Sequence, residues 1–224
     1  MKHTHILKRY LIFLAGLFVN SLGVSFVTKA SLGTSPISSI PYTLSLGFTP
    51  TLGQFTIVFS VLLILMQIAI LGKNFQKHQL LQIPVSILFG YFIDFTMLIL
   101  RGLTPSTYIW QLLSLLCGCL ILGFGVYIEV LADVVMLPGE AFVKAVSSRF
   151  HKEFGTVKVI FDGSMALGAA LISILLFHDI KGVREGTIIA ALIVGIIARF
   201  LGRKLKSLEM ILFPDDLHGF TPTL

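Results

Sequence analysis

The chain has 224 residues, of which 55% are apolar and only 12% charged, with a mean hydropathy of +0.93. Soluble domains carry about 25% charged residues, so an ordinary water-soluble monomer is excluded and a chain solvated by lipid is indicated. The 17 Lys and Arg against 11 Asp and Glu leave a net charge of +6, which would suggest a nucleic-acid binder in a soluble chain; in a bilayer, excess cations set topology instead.

Crossing roughly 30 Å of hydrocarbon takes about 20 apolar residues as a helix. Six runs qualify: 10–28, 53–72, 81–100, 109–131, 157–177 and 186–202. Their unbroken apolar character predicts helices; a barrel would need short alternating strands. The first run follows Lys8 and Arg9 and carries Gly16, Asn20 and Gly23. It is longer than the core of a secretory signal, so it reads as a retained span. Next comes Ser31-Leu32-Gly33-Thr34-Ser35, leading into Pro36 and a moderately apolar stretch 37–48. Proline suits the first turn of a helix because its missing N–H would be unpaired there anyway, so a short helix is predicted to begin at Pro36, with Thr34 or Ser35 as cap. The third span region holds Asp94; the fourth holds Gly118, Gly123 and Gly125, with Glu129 near its end. Cys117 and Cys119, two apart on that helix, point to different faces and read as packing residues. A second proline, Pro138, introduces the stretch 139–150, where Glu140, Lys144 and Arg149 oppose Phe142, Val143 and Val146. This amphipathic pattern predicts a helix lying along the membrane surface. The fifth span carries Lys158 and Asp162, one turn apart, and the sixth carries Arg199.

Only five of the 28 charged residues fall inside the six runs, and 13 of the 17 cations fall on the side of the N-terminus. The positive-inside rule then predicts a multi-pass membrane protein with both termini cytoplasmic. The chain also matches itself at an offset of 102 residues: Gly16 pairs with Gly118, Gly23 with Gly125, Ala30 with Ala132, Pro36 with Pro138 and Gly53 with Gly155, among nine identities in 45 gapless positions. Three spans per copy put the second copy into the membrane upside down. The predicted architecture is therefore all-α: six transmembrane helices in a 3+3 inverted repeat, with a short proline-started helix after the first helix of each copy. Its units are residues 1–103, residues 104–206 and a cytoplasmic tail, 207–224.

The spacing Gly-x6-Gly in the first span, the run Ala30 to Pro36 with its weaker echo Ala132 to Pro138, and the stretch Gly155 to Asp162 resemble the YczE/YyaS/YitT group of bacterial integral membrane proteins, in particular its YczE branch. The likeness covers about residues 8–206. The resemblance implies a bacterial inner-membrane protein. Gene-neighbourhood links of some members to regulators that bind pyridoxal phosphate further imply a solute related to vitamin B6. Asp133-Val134-Val135-Met136-Leu137 stands where the first copy has its Gly-containing turn.

Ionisable groups within spans are expensive and favour the protein interior or a water path. Asp162, Asp94, Glu129, Asn20 and Lys158 are thus candidates for a solute or proton path, with Gly33, Thr34, Ser35, Pro36 and Pro138 as the short-helix turns. Each has a structural alternative: Asp162 paired with Lys158, Glu129 at the headgroup level, Asn20 in an interhelical hydrogen bond. Glu129 and Asp133, four apart, are expected to share a cation such as Lys158. The six histidines lie near ends or in loops, and no nucleophile–base pair, zinc spacing or phosphate loop occurs. The expectation is a transporter of a small polar or anionic solute, not an enzyme, without cofactor or metal. Its partners are the bilayer, the solute and, in some assemblies, a second copy, and not nucleic acid. A membrane scaffold is the alternative, and a membrane-embedded enzyme the third.

Overall fold

The computed structural model describes residues 3–205; the predicted tail, 207–224, lies outside the described residues. Among the described residues there are eight α-helices and no strands: α1 (His3–Lys29), α2 (Pro36–Gly47), α3 (Leu52–Leu71), α4 (Gln82–Ile99), α5 (Tyr108–Ala132), α6 (Pro138–Phe150), α7 (Phe154–Phe177) and α8 (Glu185–Lys204). Six of them, all but α2 and α6, are long and apolar enough to cross a membrane. The two short helices begin at the prolines that predicted them.

The residue before a proline is pushed into extended backbone. Ser35 (φ −62°, ψ 147°) and Leu137 (φ −61°, ψ 150°) accordingly adopt almost the same conformation. Neither supplies a side-chain cap. The hydroxyl of Ser35 instead donates to Ser38 Oγ at 3.0 Å, and Thr34 Oγ1 hydrogen-bonds Thr28 Oγ1 at 2.8 Å. The chain leaves α1 through left-handed Ser31 (φ 61°) and leaves α5 through left-handed Asp133 (φ 49°), two residues that lie 102 apart.

α1 and α5 form the centre. Gly16 lies against Ile128 and Glu129, Asn20 against Gly125, Gly23 against Leu122, and Val27 against Gly118. The α5 numbers fall as the α1 numbers rise, so the two helices run antiparallel. Glycine lets helix backbones approach this closely; a Cβ on Gly23 would sit 2.5 Å from Leu122 Cα, and one on Gly125 2.5 Å from Asn20 N. Around this pair, α4 packs on α1, where Ser25 and Thr96 hydroxyls hydrogen-bond at 2.7 Å, and α8 packs on α5, where Gly123 meets Ile197.

The short helices fill the space between α3 and α7. α2 runs alongside α7 in the same direction: Ser39 Oγ donates to Met165 O (3.1 Å), Ile40 meets Gly168, and Gly47 meets Phe177. α6 packs on α3 and α7 and buries Pro138, Gly139, Ala141, Val143 and Ala145, with Val143 in an apolar cluster with Leu63, Val157 and Phe161. This corrects the surface-helix expectation: α6 is wedged into the bundle. Ile37 at the start of α2 presses on Gly139 at the start of α6, so the two short helices meet at their N-terminal ends.

Candidate functional site

The meeting point of α2 and α6 is ringed by polar groups that the long helices supply. From the central pair, Asn20 Nδ2 donates to Glu129 Oε1 at 2.8 Å, and Glu129 is buried. Arg9 Nη1 donates to Ala132 O (2.9 Å), a favourable place for a cation because the carbonyl end of α5 is electronegative. From α3 and α4, Gln67 and Gln82 exchange reciprocal amide hydrogen bonds of 3.2 Å, and Gln67 Nε2 also donates to Pro138 O at 3.1 Å. Both glutamines are essentially inaccessible, at 0% and 1% exposure. Replacing Gln67 by leucine would strand the Gln82 amide and the Pro138 carbonyl in the interior. The expected cost is about 1–3 kcal/mol, read as a lowered unfolding midpoint in detergent; an unchanged midpoint would mean that these bonds do not anchor α6.

On the α3–α4 side of this junction lies a cavity of about 930 Å³. It is lined by residues of the α3–α4 connection, the end of α5 with Glu129, the turn Asp133 to Leu137, and one face of α6 including Glu140, Lys144 and Arg149. Volumes of this size are typical of small-molecule sites. The segments displaced by 102 to 105 residues from that lining, 27–49 and 171–187, close on one another. Gly186 N donates to Leu32 O (2.8 Å), Thr34 N to Thr187 Oγ1 (3.3 Å), Arg184 Nη1 to Ser31 O (3.0 Å) and Thr43 Oγ1 to Lys181 O (3.4 Å). Leu32, Thr34 and Thr43 are fully buried in this seam. A second cavity, about 470 Å³, lies to the side between Phe26, Trp110, Leu113 and the turn at 102–106.

The structure brings Asn20 and Glu129 together and places Glu129 on the cavity wall, with Gly33, Thr34, Ser35, Pro36 and Pro138 in the two turns. It does not bring Lys158 to Glu129 and Asp133. Lys158 Nζ bonds Asp162 Oδ1 at 2.7 Å along α7, and Asp133 is an exposed end residue of α5. Asp94 lies elsewhere, accepting from Thr51 Oγ1 (2.6 Å) and Gly53 N (2.9 Å), and so satisfies the first turn of α3 from the neighbouring helix. Among the described residues, no three His, Cys, Asp or Glu side chains converge as metal ligands would. Sequence reasoning missed Gln67, Gln82 and Thr187. The signal for the first two was available, since uncharged amides inside apolar runs seek interhelical partners.

The fold and the site define a multi-pass helical membrane protein built around two proline-started short helices that abut inside the bundle. The chain belongs to the family of unknown function DUF6198, whose family model matches residues 7–203. It is similar to the "Uncharacterized membrane protein YczE" of Bacillus subtilis (strain 168), with 27% identity over 194 residues, covering 86% of this chain and 84% of that protein. It is also similar to the "Uncharacterized protein YyaS" of the same organism, with 26% identity over 178 residues, covering 73% and 86%. No solved structure matches.

Proposed function

We propose that the chain transports a small polar solute across a bacterial inner membrane, with both termini cytoplasmic, by rocking two inverted three-helix repeats about the α1–α5 pair. The repeat reading is supported by features separated by 102 residues: left-handed Ser31 and Asp133, the first-turn prolines Pro36 and Pro138, and the exchange of partners across α1 and α5, where Gly23 faces Leu122 and Gly125 faces Asn20. Two neighbour relations follow the same rule, α1 with α4 corresponding to α5 with α8 and α2 with α7 to α6 with α3, whereas α3 packs closely on α4 and α7 has no comparable packing on α8. Discontinuous segments meeting at a repeat interface are the usual solute site of such carriers.

One observation carries the transport reading. The cavity is open beside α6, while its counterpart beside α2 is sealed by direct hydrogen bonds, which is the asymmetry of a carrier resting open to one side. With 13 of 17 cations on the N-terminal side, the open side is the cytoplasm. The test is uptake by proteoliposomes of a panel of small polar solutes. The expected result is saturable accumulation of at least one solute, lost when Gln82, in the cavity wall, becomes tryptophan. Equal leakage of every solute with and without protein would contradict the reading.

A further inference from the structure

The lining of the large cavity is not uniform in charge. Its inner wall offers hydrogen-bond acceptors, the carboxylates of buried Glu129 and half-buried Glu140. Its exposed rim offers the cations Lys144 and Arg149, beside one further acid, Asp133. Ionised carboxylates accept hydrogen bonds and cannot donate them, and two acids lining one cavity favour a cation between them over a neutral donor. Cations at the rim, in turn, draw in and hold an anionic group.

Resting on the reading of this cavity as the solute site, we propose that it takes a solute with two charged ends: a protonated amine that donates to Glu129 and Glu140, and an acidic group that faces Lys144 and Arg149. This narrows the class to small amino acids and related zwitterions and excludes simple anions.

The test uses the full chain in nanodiscs and three probes of matched length, 5-aminopentanoate, pentylamine and pentanoate, with binding followed by saturation-transfer NMR. A charged hydrogen bond is worth about one to two powers of ten in affinity. 5-Aminopentanoate should therefore bind at least about tenfold more tightly than pentanoate, and Glu140→Gln or Glu129→Gln should weaken it about tenfold or more. The Glu129→Gln variant keeps an oxygen to accept from Asn20, so its unfolding midpoint should stay in place and separate binding from folding. Changing Lys144 and Arg149 together to Gln should weaken 5-aminopentanoate but not pentylamine. Pentanoate binding as tightly as the zwitterion, indifference to both Glu variants, or no transfer to any probe would each overturn the assignment. If the assignment fails while Ala141→Cys is still labelled from both membrane faces, the ligand class falls and the transport reading stands.

Discussion

Gly23→Ala and Gly125→Ala should each destabilise the bundle by about 3 kcal/mol or more, although each adds a single methyl group. Overpacking a well-filled interior typically costs about 1–3 kcal/mol when side chains can give way. Here the new Cβ would meet backbone: Leu122 N and Cα at 2.5 Å for Gly23, and Asn20 N and Cα at 2.5 and 2.6 Å for Gly125. Neither helix can yield without separating α1 from α5 along the whole seam, and Asn20 and Glu129, bonded at 2.8 Å, lie in it. The matched control is Gly195→Ala on α8. Nothing lies within 4 Å of its Cβ, and removing a mid-helix glycine should leave stability unchanged or raise it by up to about 1 kcal/mol. Unfolding by SDS titration measures all three. Equal costs at Gly23, Gly125 and Gly195 would show that the central seam is not the point of closest approach.

The long helices were legible because lipid imposes a strict length and an apolar content on anything that crosses it. Their ends were less so. Hydropathy marks the first run from residue 10, yet α1 begins at His3, since backbone hydrogen bonding continues through a polar turn. The short helices were legible from Pro36 and Pro138 alone. The setting of α6 was not: Glu140, Lys144 and Arg149 opposite Phe142, Val143 and Val146 produce the same amphipathic pattern whether the polar face meets bulk water or a solvated cavity. Asp94 reads as a path residue because a carboxylate in a span is costly, but its partners, Thr51 and Gly53, are supplied by another helix some forty residues earlier. Gln67 and Gln82 face the same limit. Each is visible as a polar residue in an apolar run, while their mutual pairing depends on how α3 and α4 come together.

The sealed end makes the second large prediction. If the carrier alternates, the seam formed by Thr34 N on Thr187 Oγ1, Gly186 N on Leu32 O and Arg184 on Ser31 O must part in every cycle. These are backbone and single-residue contacts between α8 with its preceding turn and the α1–α2 turn, with no covalent tie, so a rigid tilt of one repeat is enough to break them. Tying Thr34→Cys to Thr187→Cys with a short thiol cross-linker, in a chain carrying Cys117→Ala and Cys119→Ala, should hold the seam shut and leave the α6 cavity open.

The most direct measurement is the two-sided labelling of Ala141→Cys, a position buried in the wall of the α6 cavity, with a membrane-impermeant maleimide. The transport account predicts reaction in inside-out vesicles and, more slowly, from the outside of intact cells, with the outside reaction abolished once the Thr34→Cys and Thr187→Cys seam is cross-linked. Reaction from the cytoplasmic face alone, with or without the cross-link, would contradict it.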